Sequence, residues 1–177
     1  MLFRSPHTTG IPLNVGKDME VMKQFYDVVS LLEIFTDSSK IFPTYQRIAQ
    51  AEIAYRGINA TTQECLWDTF DAAFCIASRG KIGAKEYPLY VKGIRDLRGH
   101  IYAENYSPEI AAVRAVRVMY LAMCLLTGNT YKKVEDANEM SDKKLMHSEL
   151  ASLKYLRKVN LEAYSYLILL DEMLEVR

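Results

Sequence analysis

Apolar residues recur at spacings of three and four along most of the chain, and no stretch alternates convincingly as a half-buried strand does. Between residues 17 and 35, Met22, Phe25, Tyr26, Val29 and Leu32 share one helical face. Thr36-Asp37-Ser38-Ser39 breaks that pattern and offers an N-cap for a second helix over 41–56. Pro43 sits in the first turn of that helix, where a missing N–H costs nothing, and Gly57 is placed to end it. Thr61 and Glu64 have the spacing of a capping box and open a third helix running to about Ser78. Leu66, Phe70, Ala73, Phe74 and Ala77 form its apolar face. Glu64, Asp68 and Asp71 form a carboxylate row opposite, read as a solvated face because no histidine accompanies it.

Glycines and prolines interrupt residues 79–94, and the spacing predicts a short helix from about Pro88 to Arg98, ended by Gly99. Ser107-Pro108-Glu109 supplies an N-cap, a first-turn proline and a first-turn acid. The helix that follows, to about Leu126, carries only Arg114 and Arg117 as charges, which predicts burial on most sides. Residues 130–139 read as a short turn of helix, and Ser141 as the start of a last and longest helix to about Val176. In that helix Leu156, Asn160, Ala163, Leu167, Leu170 and Leu174 are spaced 4-3-4-3-4, like a heptad seam with one polar residue. The seam has two readings, packing on its own domain or pairing with a second copy. The expected class is therefore all-α, a bundle of about six helices with a long C-terminal helix, preceded by an irregular arm over residues 1–16. The arm is read as frayed unless something pins Leu2, Phe3, Ile11 and Leu13.

Composition changes this picture little. At 177 residues, half of them apolar and a quarter charged, the chain suits one globular domain over 17–177. Three cysteines without a CxxC pair argue against a disulfide or metal framework and suit a reducing, cytoplasmic compartment. The run from Val118 to Leu126 is too short to span a bilayer, and no apolar signal core stands at the N-terminus. Net charge is zero, so broad electrostatic affinity for nucleic acid is not expected. Residues 79–117, however, hold eight Lys/Arg against four Asp/Glu, a local basic excess able to attract a phosphate.

Candidate chemistry concentrates at Arg95, Asp96, Arg98, His100 and Tyr102, inside that basic third. If the helix ends near Gly99, the chain turns there and Arg95 and His100 can face one space. Histidine gives and takes protons near neutral pH, and arginine holds a charged phosphorane-like transition state with bidentate donors. Asp96 is placed to orient either. These groups suffice for metal-free RNA cleavage by an adjacent 2′-hydroxyl, and the pattern asks for no metal and no cofactor. His7 and His147 have no chemical neighbour in sequence and receive no role.

The pattern Arg95-Asp96-x-x-x-His100-x-Tyr102 resembles the signature of the HEPN superfamily, helical domains of prokaryotes and higher eukaryotes. That signature is an Arg, then a polar residue, then a His four to six positions after the Arg, and one toxin branch adds a Tyr two residues later. The resemblance covers eight residues and a general helical frame. It implies an all-α fold, a homodimer whose two motifs meet in a composite site, and RNase activity in a defence or toxin system. Arg95 and His100 are then the catalytic pair, with Asp96 in support, Arg98 and Tyr102 toward substrate, and Tyr102 also the residue a partner antitoxin would modify. Arg98 and Gly99 fill positions that are often apolar in the family. The competing expectation is a non-enzymatic helical adaptor of phage, viral or plasmid type. Such a protein binds a protein partner, or forms a homodimer or higher homo-oligomer, through its apolar arm, last helix and many Tyr and Met residues.

Overall fold

The computed structural model describes residues 6–35 and 38–174, and all regular structure among them is helical. Seven α-helices follow in order: α1 (Asp18–Ile34), α2 (Ile41–Arg56), α3 (Thr62–Ala77), α4 (Tyr87–Arg98), α5 (Pro108–Thr127), α6 (Leu156–Val159) and α7 (Leu161–Leu174). Short 3-10 turns lie at Ser38–Lys40, Ala137–Met140 and Ser148–Leu153.

α5 is the axis of the bundle. Ser107 caps it, its side chain accepting from the Ile110 N–H, and Gly128 closes it in the left-handed conformation at φ 72°. Its most extensive neighbours are α3 and α7, while α1 packs chiefly on α4. Among the described residues α5 alone has the length and apolar content of a membrane-crossing helix, and most of that stretch is buried inside the bundle. The capping box of α3 forms as its spacing implies, with Thr61 and Glu64 each satisfying the other's backbone N–H.

α1 and α4 approach closely because Gly93 has no side chain. A Cβ there would lie 2.2 Å from the Asp18 carbonyl oxygen. The Lys92 ammonium fastens the same crossing, 2.6 Å from the carboxylate of buried Asp18. Gly93 thus lies inside a helix as a close-packing position and is not an interruption.

Three expectations are corrected. The C-terminal helix begins at Leu161, not Ser141, and α5 is the longest helix at 20 residues. The intervening Leu150, Leu153 and Leu156 are buried at a spacing of three, the period of the 3-10 turns found there. Asn160 ends α6, and its side chain accepts from the Ala163 N–H at the start of α7. It therefore caps α7 and does not sit in a seam. Leu156, Ala163, Leu167 and Leu170 are buried within their own chain, so this face is spent in cis.

The arm is the second correction. Residues 6–16 have no helix, as read, but Ile11 and Leu13 pack against the core and Arg56 donates to the Gly10 carbonyl at 3.1 Å. Leu2 and Phe3 lie outside the described residues. Third, Asp68 is not part of a solvated row, since it is only 8% exposed and receives the arm.

An apolar groove of about 230 Å³ remains between α2 and the faces of α1, α3 and α5. α2 is its outer wall and buries only Tyr45 and Ala49 of its 16 residues.

Candidate functional site

α4 places the cluster on the surface by helical arithmetic. Tyr90, Gly93, Ile94 and Leu97 are its buried face, so Arg95, Asp96 and Arg98 face solvent. The helix ends at Gly99 as the spacing predicts, and the His100 N–H returns to the Leu97 carbonyl at 2.8 Å. Ile101 turns inward against the core, which leaves His100 and Tyr102 exposed on either side of it. Tyr102 is 97% exposed, the most open of the large hydrophobic side chains among the described residues.

The five residues are all exposed along the end of α4 and the loop that follows it, and no side-chain hydrogen bond among the described residues joins them. Asp96 lies 3.8 Å from Lys92, one turn back, and is not engaged with His100. Arg95, Arg98 and His100 form no ion pair among the described residues. Glu104, a natural acceptor for the arginines, is taken by Arg114. Arg114 and Arg117 belong to a separate network with Glu33, Glu104 and Glu162, and Arg79 lies over the Tyr155 ring. Much of the basic excess of 79–117 is therefore neutralised internally, and the uncompensated part includes the end of α4. Uncompensated exposed cations beside a bare aromatic ring are the elements of phosphate contact and base stacking.

Two histidines that had no evident company in sequence have carboxylate partners in the fold. The His7 ring sits between two acids, Nδ1 2.6 Å from Asp68 and Nε2 2.9 Å from Glu86. Asp68 also accepts the His7 backbone N–H at 2.8 Å and the Thr8 hydroxyl at 2.9 Å. His147 pairs with Asp171, a carboxylate 1% exposed that also accepts the backbone N–H groups of Met146 and His147. Neither pair carries a nucleophile on the histidine: both His7 nitrogens are spent on acids, and Thr8 donates to Asp68. These are clasps that hold irregular chain onto α3 and α7. Their partners lie 61 and 24 residues away in sequence, so no local signal announces them. Among the described residues, no group of three His, Cys, Asp or Glu is arranged to hold a metal ion.

Partial burial disfavours the charged His7 ring, but the hydrogen bond and charge of Asp68, with Glu86 behind it, outweigh this and raise its pKa above the ordinary histidine value. Asp71, nearby on α3, has its own pKa raised by burial and by the Asp68 charge. A raised histidine pKa adds stability that is complete below the unfolded value, near 6.5, and is lost as pH climbs through the folded value. Chymotryptic cleavage after Leu13 is therefore expected to be slow at pH 6 and to quicken toward pH 8.5, after normalising to an unstructured peptide at each pH. His7→Ala should cleave quickly at both, and a wild-type rate that does not change with pH would remove the clasp's ionic role.

No family model, curated protein or solved structure matches this chain.

Proposed function

We propose that the chain is a metal-independent, RNA-cleaving nuclease of HEPN type from a defence or toxin system, acting as a homodimer. The observation that carries this reading is the end of α4, where Arg95, Arg98 and His100 stand exposed without ion partners among the described residues, followed by an exposed Tyr102. His100 takes the proton of a ribose 2′-hydroxyl as that oxygen attacks the adjacent phosphorus. The Arg95 guanidinium holds the charge gathering on the phosphoryl oxygens. The 5′-oxygen leaves with a proton supplied by the second copy's histidine, giving a 2′,3′-cyclic phosphate and a free 5′-hydroxyl. Arg98 contacts the backbone and Tyr102 stacks a base. Asp96 has to exchange Lys92 for the imidazole to support the pair. An open surface offers none of the water exclusion this chemistry uses, and the second copy supplies that enclosure.

The test is cleavage of structured and single-stranded RNA in EDTA by the wild type, His100→Ala and Arg95→Ala. Cyclic-phosphate ends in the wild type, and their loss in both variants, are the expected result. Cleavage retained by both variants, or no wild-type cleavage of any RNA tested, overturns it.

One observation favours a second reading, a non-enzymatic binding module. A strongly apolar groove lies behind α2, and no residue of 95–102 lines it. A chain inactive on RNA that still binds a ligand there would be such a module.

A further inference from the structure

The groove has a chemistry of its own. Leu32 of α1, Phe35 just past its end, Ile41 of α2, Leu66 of α3 and Ala122 of α5 line it, and its surface is almost wholly apolar. Two polar groups in its wall are already spent inside the chain: the Tyr45 hydroxyl donates to the Thr62 carbonyl at 2.9 Å, and the Thr69 hydroxyl to the Cys65 carbonyl at 2.9 Å. The exposed Thr44 supplies the remaining hydroxyl of the wall, so an occupant is offered little hydrogen bonding within the slot. Lys40, immediately before α2, is the one ionisable lining residue among the described residues apart from the bonded Tyr45 phenol. It is exposed and forms no ion pair among the described residues. The slot is an aliphatic cleft with a single cation in its wall.

Size narrows the occupant further. An apolar cavity of about 150 Å³ is enough for benzene. This one, at about 230 Å³ and open on one side, seats a longer hydrocarbon. Unfilled apolar space costs its lining the dispersion contacts it lacks, and an alkyl chain restores them without demanding polar partners. The wall that has to admit it, α2, is the least buried of the long helices.

We propose that the groove is a binding site for an anionic amphiphile, a free medium-chain fatty acid. Its alkyl chain lies between α2 and the faces of α1, α3 and α5, and its carboxylate rests on the Lys40 ammonium. The proposal is independent of the nuclease reading, because it uses no residue of 95–102.

The experiment is calorimetric titration of the full chain with decanoate, decanol and decyltrimethylammonium, paired with sedimentation velocity. Decanoate should bind saturably at one site, decanol more weakly, and the cationic amphiphile weakest. Lys40→Glu should weaken decanoate about fivefold, the upper end for an exposed ion pair, and leave decanol unchanged. Ile48→Trp fills the slot from the partly buried face of α2 and should abolish binding of decanoate and decanol. Thr44→Trp does the same from an exposed position, in case the first variant fails to fold. Three results overturn the proposal: no saturable decanoate binding, binding unaffected in both tryptophan variants, or Lys40→Glu weakening decanol as much as decanoate. A dimer that both tryptophan variants dissolve and decanoate leaves intact would assign the groove to a second copy and overturn it as well. RNA cleavage assayed in the same variants keeps the two readings separable, since the groove substitutions should leave it unchanged.

Discussion

Gly93→Ala is expected to destabilise the protein by about 3 kcal/mol or more, the upper end for overpacking, because the obstacle is backbone and not a yielding side chain. The added methyl would fall 2.2 Å from the Asp18 carbonyl oxygen, 2.7 Å from its carbon and 2.8 Å from Met22 Cγ. Relief requires α4 to draw back from α1, which opens the face where Met22, Phe25, Ile94 and Leu97 are buried. It also stretches the Lys92–Asp18 pair. Alanine's better helix propensity returns about 1 kcal/mol and does not close the gap. For a chain of this size each kcal/mol moves the midpoint by about 2–4 °C, so a thermal melt followed by circular dichroism should fall by roughly 6–12 °C. Gly99→Ala is the control. Its nearest new neighbour is the Asp96 carbonyl oxygen at 3.9 Å and its φ of −65° is ordinary, so the melt should not fall. An unchanged melt for Gly93→Ala would mean that the α1–α4 crossing is not as close as described.

The second large effect concerns chemistry and leaves stability alone. His100→Ala should lower the single-turnover rate of RNA cleavage by about 10²–10⁴-fold, the span that positioned proton transfer contributes. Arg95→Ala should fall in a similar range through lost stabilisation of the phosphoryl charge. Both side chains are exposed and carry no ion pair among the described residues, so their removal should move stability by no more than about 0.5 kcal/mol. This separation is informative: a variant that loses activity while melting normally has lost a reacting group. Tyr102→Ala should raise the RNA concentration needed for half-maximal rate and change the maximal rate less, because a stacking ring holds substrate without touching the reacting atoms. A His100→Ala enzyme as fast as the wild type would end the proposal whatever Tyr102 does.

Local signals read well in this chain wherever the cause of the structure is itself local. Ile41 to Arg56 forms a helix between the limits that Pro43 and Gly57 imply, and Gly57 takes the left-handed conformation, φ 62°, that a glycine stop needs. Thr61 with Glu64, and Ser107 with Pro108, open helices where their hydrogen-bonding chemistry places them. The reading fails where the cause is distant. Asp68 looks like one acid in a solvated row until the arm arrives from sixty residues upstream, and His147 looks idle until Asp171 folds beneath it. It also fails where two periods compete. Leu150, Leu153 and Leu156 suit a 3-10 succession as well as an α-helical face, and the capping bond from Asn160 to Ala163 separates that stretch from α7. The cluster at 95–102 lies between these cases. Its place at an exposed helix end follows from the spacing of Tyr90, Ile94 and Leu97, whereas a composite site depends on a surface that a second copy brings.

The bundle also encloses Cys65, Cys75 and Cys124, all buried and none in a disulfide. Burial pushes the Cys75 thiol up to about 12 and the Cys124 thiol to about 11, so neither offers thiolate to a reagent in the native state. Cys75 on α3 and Cys124 on α5 lie in the main core, and Cys65 is buried in the first turn of α3. Alkylation of this protein is therefore a clock for opening: the interval before a maleimide finds a given thiol measures how often that part of the core comes apart, in plain buffer and without heat or denaturant.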